Sequence, residues 1–223
     1  MLSLRSALAA LILTTPAPAI ACELALLLAV DVSGSVDAQE YRIQMDGLAA
    51  ALRDGTVADA LVEQQAEVAV IQWTGSSRQR QTVPWTAMRS YADVLALADT
   101  IEADPRIWRN YSTAIGEALE VARAAFAPVS GCTRRVIDVS GDGESNEGVE
   151  PASTRAALRA QEITVNAIAI ETDDADLTAY FFENLIVGPG AFVVTANGFA
   201  DYPEQIKRKL QRETTRQVTK VAK

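Results

Sequence analysis

Histidine occurs nowhere in this chain of 223 residues. Without imidazole there is no Ser-His-Asp triad and no Cys-His pair, which excludes the common nucleophilic hydrolases. The G-x-S-x-G turn that presents a reactive serine is missing, as is the G-x-x-x-x-G-K-[ST] loop that cradles nucleotide phosphates. Basic residues are the minority, 20 against 29 acidic, giving a formal net charge of −9. Such a surface repels nucleic acid and anionic lipid, and there is no basic stripe outside the last predicted helix. No repeat and no long linker divides the chain. The apolar segment Ala7–Leu13 is far shorter than the ~20 residues of a membrane-spanning helix.

That short apolar segment belongs to a recognisable order. Met1–Arg5 carries one positive charge, Ala7–Leu13 is apolar, Thr14-Thr15-Pro16-Ala17-Pro18 follows, and Ala19-Ile20-Ala21 has A-x-A form. This is the layout of a signal peptide, expected to be cleaved after Ala21. Residues 1–21 are then removed, and residues 22–223 are the size of one domain. The expected location is periplasmic or secreted, in a bacterium, with no integral membrane segment after cleavage. Lipidation of Cys22 is the lesser alternative, because Ala19 stands where lipoprotein signals usually carry leucine.

Only two cysteines are present, Cys22 and Cys132. Cys22 lies nine residues before Asp31, and Cys132 ten residues before Asp142. If the apolar runs that follow them are neighbouring parallel strands, both thiols sit at the amino-terminal end of one sheet. They then come within the ~5.5–6 Å Cα separation of a disulfide, which an oxidising compartment favours. Two unpaired thiols are the alternative.

Apolar runs alternate with helical patterns along the rest of the chain. Strands are expected at Leu24–Val30, Glu67–Thr74, Arg135–Val139, Ile163–Ile170 and Ala191–Thr195, with a polar edge strand at Arg78–Val83. Helices are expected at Asp37–Arg53, Ser90–Ile101, Thr113–Phe126, Val149–Gln161, Asp176–Leu185 and Tyr202–Lys220. This alternation predicts an α/β fold with a mostly parallel sheet covered on both faces. Ligands of such sheets bind beyond the carboxyl ends of the strands, at the switch point of the strand order.

Three loops place oxygen-bearing side chains at that end. Asp31-Val32-Ser33-Gly34-Ser35 follows the first strand and sets one carboxylate and two hydroxyls at alternate positions. Thr113 stands at the start of the third predicted helix in Thr113-Ala114-Ile115-Gly116-Glu117-Ala118-Leu119. Asp142 leaves a strand between glycines in Asp138-Val139-Ser140-Gly141-Asp142-Gly143. Hard oxygen donors of this kind suit Mg²⁺ or Mn²⁺. Each loop taken singly also fits a helix cap or a turn.

In combination and in this order, the three loops resemble the von Willebrand factor type A (vWA) domain and its metal-ion-dependent adhesion site (MIDAS). Within that family the chain is similar to small exported bacterial proteins that share a DVSGSVD start and an RVIDVSGDG segment, here Asp31–Asp37 and Arg135–Gly143. The resemblance implies a Rossmann-like three-layer sandwich, a six-stranded sheet of order 3-2-1-4-5-6 with one antiparallel edge strand. That order makes the first and fourth strands neighbours, as the cysteine pairing requires. It further implies a Mg²⁺ or Mn²⁺ ion held by Asp31, Ser33, Ser35, Thr113 and Asp142, with one position left for a carboxylate from a protein partner. Two departures stand out: Gly141 replaces the usual threonine, and Asn110-Tyr111 occupy a place where glycine is common.

The expected function is therefore metal-dependent protein binding rather than catalysis. A cation-assisted hydrolase and a scaffold with a vestigial site are the alternatives. Among the remaining charged residues, Asp138 within an apolar strand is expected to pair with a basic residue such as Arg134 or Arg135, or to lie at a strand fringe, with a supporting role beside the site as the lesser alternative. Asp37 is expected to cap the first helix. Lys207, Arg208, Lys209 and Arg212 are expected to form a solvated helix face.

Overall fold

The computed structural model describes residues 22–172 and 176–215. The expected signal segment, residues 1–21, and the end of the last predicted helix lie outside the described residues.

Strand β1 (Leu24–Asp31) is buried at every position, as its unbroken apolar sequence demands. It pairs in parallel with β2 (Glu67–Trp73) and with β4 (Arg134–Gly141). Strand β3 (Gln79–Ala87) pairs antiparallel with β2 at the edge, while β5 (Ile163–Ile170) and β6 (Val193–Ala196) extend the sheet in parallel from β4. The order is β3-β2-β1-β4-β5-β6. The fold is thus the expected Rossmann-like sandwich, with its switch point between β1 and β4. Strand β3 runs past the expected end at Val83, and Pro84 is accommodated because this strand has a free edge.

Alternate residues of the sheet feed two cores. Leu24, Leu26, Leu28 and Val30 pack with helices α1 (Ala38–Leu52), α2 (Gly55–Glu63), α3 (Tyr91–Ala103) and α7 (Tyr202–Thr214). Ala25, Leu27 and Ala29 pack with α4 (Ile115–Ala125), α5 (Pro151–Ala160) and α6 (Leu177–Asn184).

Helix α2 was not expected. Asp54-Gly55 looks like a helix stop, yet the Asp54 carboxylate accepts from the backbone N–H of Thr56 (3.0 Å) and Val57 (3.3 Å) and so starts a new helix. Asp37 caps α1 as expected, in a reciprocal capping box with Glu40.

Cys22 and Cys132 form a disulfide at the amino-terminal ends of β1 and β4, with Cα atoms 4.7 Å apart. The adjacent backbone bonds Thr133 N to Cys22 O (3.1 Å) and Arg134 N to Glu23 O (3.0 Å) hold the two chain segments in the same register.

Two expectations about charge are corrected. Asp138 is paired, but its partner is Lys209 of α7, not Arg134 or Arg135. The alternation of β4 explains this: Asp138 points to the α7 face. Lys209 is accordingly not on a solvated face; it is fully buried, between Asp138 and Glu213.

Candidate metal centre

β1 delivers Asp31 to the carboxyl edge of the sheet, where it is completely buried. Its Oδ1 accepts from the backbone N–H of Ser33 at 2.7 Å, closing a tight turn. The turn brings Ser33 Oγ and Ser35 Oγ to 3.1 Å, and Ser35 Oγ donates to Asp142 Oδ1 at 2.7 Å. Asp142 follows the end of β4, so adjacent strands supply both carboxylates.

Thr113 is buried and held by reciprocal bonds: its N–H donates to Asn146 Oδ1 and its C=O accepts from Asn146 N, both at 2.9 Å. A Cβ placed on Gly143 would lie 4.0 Å from Thr113 Oγ1, so this hydroxyl faces the Asp142–Gly143 loop. Thr113 does not cap α4. The cap position is Ala114, which makes no side-chain bond. The structure therefore gathers Asp31, Ser33, Ser35 and Asp142 into one bonded cluster with Thr113 alongside.

The electrostatics of the cluster are strained. Burial, and then the negative charge of Asp142, push the Asp31 carboxyl up to about 8. Burial likewise raises Asp142, against the pull of its bond from Ser35. Arg106 lowers both, but its Nη2 is spent on the backbone carbonyls of Val32 (3.1 Å) and Ser33 (2.9 Å). Asp31 Oδ2 is buried and has no hydrogen-bond donor. An orphaned carboxylate oxygen, a second desolvated carboxylate and three hydroxyls form a donor set that fits a hard divalent cation. Among the described residues no group of three or more Cys, Asp and Glu side chains is placed to hold a metal.

Both departures from the family pattern have a local reason. A Cβ on Gly141 would stand 3.2 Å from Asp31 Oδ2 and 3.5 Å from the rings of Phe181 and Trp73, so this tight corner favours glycine. Asn110 adopts φ 57°, the left-handed conformation that asparagine tolerates better than most residues.

Other residues hold the cluster in place, and of these only Tyr111 was singled out from sequence, as a departure from the pattern. Gln44 Nε2 donates to the Asp31 carbonyl, and its Oε1 accepts from Ser140 Oγ, both at 3.2 Å. Tyr111 C=O accepts from Gly34 N–H at 2.8 Å. Glu117 accepts from Val149 N–H at 3.1 Å and fixes the end of the Asp142 loop. Gln44 and Glu117 carry only the ordinary polar signature of a solvated helix face.

The strand order and the switch-point cluster define the vWA class of fold. The chain belongs to the family described as "Protein of unknown function (DUF1194)", whose model matches residues 21–218. Among solved structures it is similar to proximal thread matrix protein 1 from the mussel byssus (TM-score 0.66, 19% identity, 85% of this chain and 47% of that one). It is also similar to a von Willebrand factor type A protein from Catenulispora acidiphila (TM-score 0.61, 18% identity, 86% and 43%). A further structure of the mussel protein, with a zinc-occupied MIDAS motif, matches at TM-score 0.66 and 17% identity over 87% of this chain and 46% of that one. The chain thus spans about half the length of the mussel protein. No match was found among curated proteins.

Proposed function

We propose that this protein is an exported, cation-dependent protein-binding module, with residues 1–21 acting as a cleaved signal peptide. Mg²⁺ or Mn²⁺ is held by Asp31, Ser33, Ser35, Thr113 and Asp142, and a partner's Asp or Glu carboxylate completes the coordination. When bound, the cation supplies a Lewis-acidic point that attracts that carboxylate. The observation that carries the reading is the buried, donor-free Asp31 Oδ2 beside the bonded Ser33–Ser35–Asp142 chain.

The chain's own residues favour an anionic partner group. Of the five ligands named, two carry formal negative charge, so a bound dication would retain attraction for a third carboxylate. Arg106 lies under the Ser33 carbonyl. Arg78 stacks 3.8 Å over the exposed Tyr111 ring, next to the Gly34 contact. Both cations repel basic partner segments and draw acidic ones. The zinc-bearing MIDAS of the mussel protein supports divalent-cation binding in this fold class.

A pull-down from an envelope fraction tests the proposal. Wild-type protein in Mg²⁺ is expected to capture a partner that is released by EDTA and is not captured by Asp31→Ala. Equal capture by both proteins, with and without EDTA, would refute it.

A further inference from the structure

We propose that a cleft at the amino-terminal end of β4 and β5, across the sheet from Asp31, binds a small organic carboxylate. The cleft has a volume of about 270 Å³ and is bounded by Arg134, Thr164, Asn166, Phe192, Arg212 and Glu213. Its walls are the lower ends of two strands, the loop from Gly188 to Phe192, and the last turns of α7.

The polar groups of the cleft are incompletely used. Arg134 Nη2 donates to the Glu213 carbonyl at 2.7 Å, but its buried Nε has no acceptor. Burial lowers the pKa of Arg134, against the opposing pull of Glu213 and Glu23. The Arg212 guanidinium lies 3.7 Å over the Phe192 ring and forms no ion pair among the described residues. Glu213 is buried, and its Oε1 is taken by Lys209 Nζ (2.6 Å) and Asn166 Nδ2 (2.9 Å), leaving Oε2 without a partner.

These features select the ligand class. Two guanidinium groups with spare N–H donors favour a planar oxyanion, which a carboxylate matches in shape. Burial and the charge of Asp138 push the Glu213 carboxyl up to about 8. Its negative charge near neutral pH is thereby reduced, so it repels an anionic ligand less than a free carboxylate would. The Phe192 ring gives an apolar wall for a short hydrocarbon part. The volume falls just below the ~300–1,000 Å³ of drug-sized sites, which restricts the ligand to a small molecule. In a chain of net charge −9, the cleft sets Arg134, Arg135 and Arg212 against Glu162, which pairs with Arg135 at 3.7 Å, and the buried Glu213, a local excess of positive charge.

Calorimetry on the full chain tests the proposal, with succinate and citrate as probes, inorganic phosphate as the non-carboxylate comparison and succinamide as the uncharged control, all at constant ionic strength. Succinate or citrate is expected to bind saturably in the millimolar range or tighter, and succinamide not at all. Arg212→Gln, an exposed position whose replacement leaves the fold intact, is expected to weaken binding by about tenfold or more, while Mg²⁺ raises the melting temperature of both proteins equally. Absence of saturable carboxylate binding, or equal affinity in Arg212→Gln, overturns the site. Phosphate binding as tightly as the carboxylates overturns the ligand class. The carboxylate-binding readouts do not depend on the metal-site proposal, because the cleft lies at the opposite end of the strands; only the Mg²⁺ control does.

Discussion

Ser35 Oγ donates to Asp142 Oδ1 at 2.7 Å across a sequence separation of 107 residues. The bond ties the turn after β1 to the loop after β4 and closes the oxygen cluster around the orphaned Asp31 Oδ2. If that cluster holds a cation, Mg²⁺ or Mn²⁺ at about a hundredfold excess over Kd stabilises the fold by about 2.7 kcal/mol. For a domain of this size that is a rise of about 5–10 °C in Tm. The double variant Asp31→Ala/Asp142→Ala is expected to show no rise. Identical wild-type melting curves in Mg²⁺ and in EDTA would remove the metal from the proposal.

The Cys22–Cys132 disulfide closes a loop across 110 residues between neighbouring strands. Cross-links over long loops restrict the unfolded chain and typically contribute about 2–4 kcal/mol. Reduction, or the double substitution Cys22→Ser/Cys132→Ser, is expected to lower Tm by about 5–15 °C while leaving the Mg²⁺ response intact, because the bond lies at the opposite end of β1 from Asp31. Thiol mapping of the oxidised protein by mass spectrometry, under non-reducing conditions, is the direct check on the pairing.

What could be read from sequence follows from which signals are local. The β1 run and the Asp31-x-Ser33-x-Ser35 spacing are contiguous, so strand and cluster were visible together; the α/β alternation put Asp142 just past a strand, and only the vWA resemblance made that strand a neighbour of β1. The second helix was hidden because Asp54-Gly55 is equally a stop and a start; only the direction of the Asp54 carboxylate, toward Thr56 and Val57, decides. Lys209 was misread for a related reason. Its neighbours Lys207 and Arg208 do engage the exposed Glu204, and nothing in the order of charges marks the one lysine that turns inward to Asp138. Gln44, Arg106 and Asn146 hold the site through backbone atoms, a role that carries no residue-type signature.

Gly116 in α4 packs against the backbone of the Asp142 loop, where an added Cβ would overlap the Val149 carbonyl. In an open helix, replacing glycine by alanine is worth about 0.8–1 kcal/mol of stability. Gly116→Ala is expected to do the reverse: it lowers Tm and displaces the loop that carries Asp142, weakening the Mg²⁺ response. Gly55, in the first turn of α2, has no neighbouring atom within 4 Å of an added Cβ. Gly55→Ala is therefore expected to raise Tm slightly. Opposite signs at the two glycines, read by thermal melting, distinguish close packing from propensity.

The buried group beneath α7 sets a pH dependence. Lys209 Nζ lies against Asp138 and, at 2.6 Å, against Glu213 Oε1. Asn166 also donates to Glu213, and Arg134 and Tyr202 pack against the same group. Two carboxylates thus share one buried ammonium. Burial first, and then Asp138, raise Glu213 from 4.5 to about 8 in the folded protein. Between these values the folded state holds a proton that the unfolded chain releases. Stability is therefore fully present below about pH 4.5 and declines as pH rises toward 8, with a slope for this group approaching about 1.4 kcal/mol per pH unit. Asp31 is displaced in the same direction, so the comparison of interest is with Glu213→Gln rather than with a flat line. Glu213→Gln keeps an acceptor for Lys209 and is expected to reduce the decline. Lys209→Met removes the ammonium and leaves both acids buried without it, at an expected cost of about 3–5 kcal/mol. Adding Asp138→Asn and Glu213→Gln to Lys209→Met is expected to recover most of that loss. Urea unfolding at pH 5 and pH 8 reads all three variants, and an unchanged pH slope in Glu213→Gln would show that its proton is not the one released.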